Sequence, residues 1–222
     1  MNINLTPNQT PSEGSATKSA YKRLRELILT GDLAPGEKLK IDGLRDVLGT
    51  GASPIREALN LLVSDQLVVR HEQRGFRAAG TSRQDFDEIL KLRCSLERMA
   101  LRESIENATD EWIEELVVVH HRMTRLKPER SAEFEVQHKI FHMTLLSHAT
   151  SPHLLRFCSQ LYDLNIRYRY LAGRSSDYKG RKVDDEHRQI LDAVMAKDMD
   201  LADTLLVSHY ERTGAFLKDY ID

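Results

Sequence analysis

The sequence predicts a mainly α-helical protein built in two parts, a small mixed unit followed by a larger all-α antiparallel bundle. Three observations carry this. Glycine and proline number only 11 and 6 among 222 residues, few for a loop-rich all-β chain. After Gly80 apolar residues recur with the period of a helix, and no alternating strand pattern competes. Before Gly80, short helical stretches are followed by a hairpin signature. At roughly 150 residues per domain the length predicts about 1.5 domains. A change of character near Gly80 resolves this to two, 18–80 and 81–222, after an N-terminal arm.

Residues 1–17 are polar and turn-rich and are expected to form a disordered arm. Lys18 to Thr30 places Tyr21, Leu24, Leu27 and Ile28 on one helical face, with Gly31 ending the helix. Pro35-Gly36 makes a turn. Ile41, Leu44, Val47 and Leu48 mark a second short helix closed by Gly49. Ser53-Pro54 opens a third, with serine as N-cap and proline in the first turn, and Ile55, Leu59, Leu62 and Val63 on its face. In this reading Pro54 takes the first helical position. Two extended pieces follow, Leu67 to Val69 and Phe76 to Ala78, joined by a turn over Glu72 to Gly75. Helix, turn, helix and hairpin is the order of a winged helix-turn-helix, whose third helix enters a DNA major groove by its N-terminal end.

The net charge of −2 seems to speak against nucleic acid, but it is a sum of unlike parts. Residues 1–80 hold 11 basic and 9 acidic side chains, and residues 81–222 hold 21 and 25. Within the first part, Arg56 in the first turn of the third helix can fork onto a guanine edge. Ser53 and the free amides beside it can hold a phosphate. Arg74, Gly75 and Arg77 at the hairpin suit a minor groove or backbone, and Lys40 and Arg45 extend the basic face. Each has a plainer alternative: Arg56 as a surface arginine, Ser53-Pro54 as a helix start, Gly75 as the source of a positive φ. The ordered combination favours binding to a double-stranded DNA operator.

These residues stand in a pattern that resembles the GntR family of bacterial transcription regulators. It runs Tyr21-x-x-Leu24-Arg25, Gly31-Asp32-Leu33-x-Pro35-Gly36-Glu37-x-Leu39, Leu48-Gly49, Pro54-Ile55-Arg56-Glu57-Ala58-Leu59 and Arg74-Gly75-Phe76. The resemblance implies a winged helix that binds operators as a homodimer. Ala52 and Asp42 depart from it, since the family usually has arginine at the first and often at the second.

The second part reads as helices over Phe86 to Ile105, Trp112 to Leu126, Phe134 to Leu146, Leu154 to Leu171, Ile190 to Met199 and Leu201 to Leu217. Six or seven helices in sequence make an antiparallel bundle. Eight of the nine histidines lie here. His138 and His142 are one turn apart on one helix, and His187 and His209 stand on two others. Such a set can close a divalent metal site in a bundle core, with zinc or nickel foremost. A solvated face for the pair, or a satisfied core position for His209, is the alternative. His120, His121, His148 and His153 read as surface or packing residues.

Arg93-x-x-Leu96-Glu97-x-x-Ala100, Phe141-His142, Glu186-His187-x-x-Ile190-x-x-Ala193 and His209 resemble the FCD effector domain of the FadR-type branch of the same family. The resemblance implies a divalent metal held by an aspartate and three histidines. Phe141-His142, His187 and His209 match, and His138 occupies the aspartate position, so four neutral imidazoles are expected. Glu135 could support them or lie on the surface. A divalent ion with neutral ligands keeps nearly its full charge, which favours an anionic effector. Arg93 and Arg167 could fork a small carboxylate, and Tyr168 could line the pocket. Arg93 could instead pair with Glu97 on the surface, and Tyr168 could simply pack. The His-x-x-Phe-His form and Tyr168-Arg169-Tyr170 are similar to repressors of glutarate catabolism in this branch, which implies glutarate or a relative.

Other classes are not expected. No run of 18 apolar residues suggests a membrane span, and residues 1–17 lack the pattern of a secretory signal, so a cytoplasmic location is expected. Cys94 and Cys158 read as reduced thiols. A metalloenzyme finds no obvious general base, and a sensor of the metal itself is the nearer alternative to a carboxylate-responsive repressor.

Overall fold

The computed structural model describes residues 13–126, 132–173 and 183–221. The chain divides into two compact units, residues 1–80 and 81–222.

In the first unit α1 (Glu13–Thr30), α2 (Ile41–Leu48) and α3 (Ala52–Ser64) surround a core with a small sheet beside it. Helix α1 packs on α3 through Leu24 and Ile28 against Ile55, Leu59 and Leu62, all buried. Tyr21 donates its hydroxyl to Asp65 Oδ2 at 2.7 Å, tying the same helices at the rim. The arm expected over residues 1–17 lies outside the described residues as far as residue 12, and α1 already covers 13–17.

Helix α2 ends at Gly49, whose φ of 60° is left-handed and whose N–H reaches Arg45 O at 2.9 Å. Val47, expected on its apolar face, is instead exposed. Helix α3 begins before the expected Ser53 cap. Gly51 is the N-cap, no side chain closes it, and Ser53 is the second helical residue. Pro54 is still tolerated, because the first-turn amides have no partner within the helix and its missing N–H costs nothing. Strands β2 (Val68–His71) and β3 (Gly75–Ala78) form the hairpin, with His71 opposite Gly75. Gly75 has φ 85°, the left-handed backbone the tight turn requires. A third strand, β1 (Lys38–Leu39), pairs antiparallel with β3. It is two residues long, too short for any alternation to announce it.

The second unit contains α4 (Arg83–Glu106), α5 (Asp110–Thr124), α6 (Ala132–Leu145), α7 (Pro152–Gly173), α8 (Val183–Met195) and α9 (Met199–Lys218). Helix α4 packs on α7 and α9, α5 on α6 and α8, and α8 on α9. Ser82, Thr109 and Asp198 accept first-turn amides and so start α4, α5 and α9. Apolar faces meet in one core including Leu101, Trp112, Leu116, Phe141, Ile190 and Leu206. Trp112 Nε1 donates to Thr144 O at 2.8 Å, which satisfies the one polar atom of a buried ring. Met99, expected inside with its helix, is 52% exposed. Among the described residues no helix is long and apolar enough to cross a membrane.

Candidate metal centre and nucleic-acid face

The first unit exposes each of the residues expected to meet DNA. Lys40, Arg45, Ser53, Arg56, Arg74, Gly75 and Arg77 are all exposed. Ser53 and Arg56 lie on the outer side of α3 because Ile55, Ala58 and Leu59 take its inner side. Arg77 is partly committed: its Nη1 donates to Gly36 O at 2.8 Å and braces the turn before β1.

In the second unit the helical spacing brings four histidines together. His138 and His142 come from α6, His187 from α8 and His209 from α9, all buried. One ring nitrogen from each lies within 4.8 Å of all the others. His142 Nε2 stands 3.2 Å from His138 Nε2. Metal–nitrogen bonds of about 2.0–2.1 Å at right or tetrahedral angles need about 2.8–3.4 Å between donors. Burial first, and neighbouring positive charge second, holds His138 and His142 well below the usual imidazole range, so both are neutral with a lone pair to give. The donor set suits a divalent transition ion. Neither Cys158 nor Cys94 belongs to the cluster, and burial pushes their thiols up to about 12 and about 11.

The outer ring nitrogens are also held. His209 Nδ1 lies 2.8 Å from Glu186 Oε2, and His138 Nδ1 lies 2.5 Å from the Tyr162 hydroxyl. His142 Nδ1 lies 2.9 Å from the Tyr210 hydroxyl, which donates in a short hydrogen bond to Glu97. Partners of this kind orient imidazoles toward an ion. Burial raises the Tyr162 and Tyr210 phenols well above their ordinary range, so both stay protonated.

Arg93 is buried, not at the surface, and its pairing with Glu97 is buried with it. Its Nε and Nη2 donate to Glu97 at 2.6 and 3.3 Å, and Nη1 donates to Asn165 Oδ1 at 2.9 Å. Three of about five N–H groups are thus used, leaving donors for a further acceptor. A cavity of about 10 Å³ is lined by Arg93, Asn165, Arg169, His138, His209 and Gly214, among others. Arg167 and Tyr168 are not in that lining. Tyr168 donates to Asp85 Oδ2 at 2.6 Å and packs on Phe86, 4.9 Å between ring centres, with Arg167 buried nearby. The reason is the helical period. At about 100° per residue, Arg169 shares the face of Asn165, and Arg167 lies about 200° round. Arg169 points Nη1 at His138 Nδ1, 3.1 Å away, and pairs with Glu135 at 3.2 Å. Glu135 is therefore not a surface glutamate; burial raises its carboxyl despite Arg169. Glu97, Asn165, Tyr162, Tyr210 and Glu186 were not legible as site residues. The signals were the place of Glu97 and Glu186 in the FCD-like pattern, the spacing of Glu97 from Arg93, and the adjacency of Glu186 and Tyr210 to a histidine. Of the other histidines, His120 is half-buried against Phe141 and His148 stacks on Trp112.

A winged helix with an exposed basic face, followed by a helical bundle with a buried histidine centre, defines a DNA-binding regulator. Residues 16–77 match the family described as "Bacterial regulatory proteins, gntR family", and residues 88–212 match the FCD domain. The chain belongs to the GntR family, in its FadR-type branch with an FCD domain. It is 30% identical over 197 residues to the HTH-type transcriptional repressor GlaR of Escherichia coli K12, covering 85% of this chain and 90% of that one. It is 32% identical over 214 residues to BphR of Paraburkholderia xenovorans LB400, an uncharacterized HTH-type transcriptional regulator, covering 93% and 86%. The solved structure of E. coli McbR/YncC superposes with a TM-score of 0.81 at 23% identity, covering 92% of this chain and 98% of that one, and shows the same fold. These families and relatives are transcription regulators, not enzymes.

Proposed function

We propose that the protein is a repressor that binds a two-half-site operator as a homodimer, with operator affinity set by a small carboxylate bound beside a divalent metal. The observation that carries this is the buried four-histidine cluster beside a cavity flanked by Arg93 and Arg169. A bound ion would supply concentrated positive charge facing the cavity, near its full +2 because all four ligands are neutral. The two guanidiniums would add a fork suited to a carboxylate, and a dicarboxylate such as glutarate is the preferred candidate. The N-terminal end of α3 would enter the major groove with Arg56 on a guanine edge, Ser53, Lys40 and Arg45 on phosphates, and Arg74, Gly75 and Arg77 on the flanking groove. Leu92 and Met99, seven residues apart on α4 and 42% and 52% exposed, support a self-association surface. Regulation then follows from linkage: an effector changes operator affinity only as far as it binds one arrangement of the dimer better than another.

The test is calorimetry with glutarate on protein of measured metal content. One divalent ion per chain and binding that chelator abolishes are expected. Glutarate binding at equal affinity after complete metal removal would contradict the shared site. The small size of the cavity, about 10 Å³, favours a second reading in which the ion alone is the signal. Release of operator by metal without any carboxylate would select it.

A further inference from the structure

Glu97 is fully buried, and its carboxylate bonds to Arg93 and Tyr210, not to a histidine of the cluster. These contacts have a direction. Glu97 Oε1 accepts from Arg93 Nε at 2.6 Å, and Oε2 accepts from the Tyr210 hydroxyl. A tyrosine has one hydrogen to give. With that hydrogen committed to Glu97, the Tyr210 oxygen can only accept from His142 Nδ1, 2.9 Å away. The proton of His142 is therefore on Nδ1, and its Nε2 carries the lone pair. That nitrogen is the one standing 3.2 Å from His138 Nε2 inside the cluster.

From this directionality we infer that Glu97 and Tyr210 are positioning residues of the metal centre. They hold His142 in the tautomer that turns its Nε2 lone pair toward the other three histidines, and they join that ligand to the arginine that lines the cavity. The inference rests on the metal reading given under Proposed function.

The other histidines show why the arrangement is specific. His209 Nδ1 meets a carboxylate, Glu186, directly, and an acceptor with no hydrogen fixes that tautomer outright. His138 Nδ1 meets Tyr162, and among the described residues no carboxylate hydrogen-bonds to Tyr162. That hydroxyl can give or accept, and Arg169 Nη1, which can only donate, lies 3.1 Å from Nδ1 and 3.3 Å from Nε2, so no acceptor pins the His138 proton to Nδ1. Tyr210 would be equally indifferent without Glu97 behind it. A buried Arg–Glu pair alone is poor evidence of a role, since apolar residues often replace such pairs at no loss of stability. Here the pair has a third member that touches a ligand. The same chain gives a route for coupling. A carboxylate taking the remaining donors of Arg93 would share the guanidinium with Glu97, which would alter what Glu97 asks of Tyr210 and hence of His142. By reciprocity, the ion and the carboxylate then change each other's affinity by the same factor.

The experiment has two readouts on the full chain. Long-range proton–nitrogen NMR of the metal-free protein reports which ring nitrogen of His142 is protonated. Titration with Co²⁺, followed by its visible absorption, reports affinity and stoichiometry. The expected results are His142 protonated at Nδ1 and one Co²⁺ per chain. In Tyr210→Phe, Co²⁺ should still bind once per chain but about 10–100-fold more weakly, with His142 spread over both tautomers. Wild-type His142 protonated at Nε2 would overturn the inference, as would unchanged Co²⁺ affinity in Tyr210→Phe. The NMR result on the wild type needs no variant to fold. If the wild type holds the Nδ1 proton but binds no Co²⁺, the metal reading fails and the tautomer assignment stands, so the two failures are separable.

Discussion

His138 Nε2 and His142 Nε2 lie 3.2 Å apart, one turn apart on α6, with the rings of His187 and His209 closing the other side. Neutral imidazoles gain little from facing each other in a dry core. An ion between them would change that balance, because each lone pair would then be satisfied.

Removing one ligand tests this. His142→Ala should lower the metal content of purified protein from about one ion per chain to a small fraction of that, and weaken affinity by more than the 10–100-fold typical of losing an outer partner. Elemental analysis after dialysis reads the result. Metal content equal to wild type would refute the ligand assignment.

Acid should destabilise the metal-free protein through the same residues. Folding holds His138 and His142 well below the usual imidazole range, by burial first. The unfolded chain therefore binds more protons once the pH drops below about 6.5. Stability should be level above that value and fall as the pH goes from it toward the folded values, by up to about 1.4 kcal/mol per pH unit for each histidine. Thermal melts at pH 7.5, 6.5 and 5.5 check the direction. A melting temperature that rises on acidification would contradict it.

The arginine of α4 should matter to carboxylates through its fork. Arg93→Lys keeps a charge opposite Glu97 but cannot bridge Glu97, Asn165 and a further acceptor at once. Glutarate affinity by calorimetry should fall at least about tenfold, with operator binding in the absence of glutarate retained. Tyr168→Phe, whose hydroxyl serves Asp85 and not the cavity, should leave glutarate affinity within about twofold. The opposite ranking would return the carboxylate to the Arg167–Tyr168 face.

Much of this was legible in the sequence, for identifiable reasons. A helix repeats its face every third or fourth residue, so the pairing of His138 with His142 could be read from spacing, whereas Arg93 stayed open between the pocket and a surface pair with Glu97. The bundle and the wing followed from period and turn residues in the same way. What failed were choices finer than the period. Arg167 and Arg169 are two residues apart, and only the packing of α7 decides which one faces the cavity. The start of α3 was misplaced by two residues because Ser53-Pro54 is a strong start signal, and Gly51 took the cap without any side-chain bond. Tyr162 and Tyr210 were hidden because each holds a histidine ring from a different helix, and the bond from Tyr210 to Glu97 likewise crosses between helices. No local pattern encodes that.

On the DNA side, Arg56 is exposed and is the fifth residue of α3, in its second turn and not the expected first. Arg56→Ala should cost about 1–3 kcal/mol of specific operator binding, roughly 5–150-fold, and relax preference at one base position. Metal content and melting temperature should not move. Binding curves against selected and scrambled duplexes measure it, and an equal loss on both would make Arg56 a phosphate contact.

The central claim is that carboxylate, metal and operator are linked in one molecule. It is tested most directly by titrating glutarate into the metal-loaded protein bound to an operator that it has itself selected from random duplexes, with a chelator-treated sample in parallel. Glutarate should release DNA from the metal-loaded sample, with a much weaker response after chelation. Operator affinity that stays constant with glutarate in both samples would contradict it.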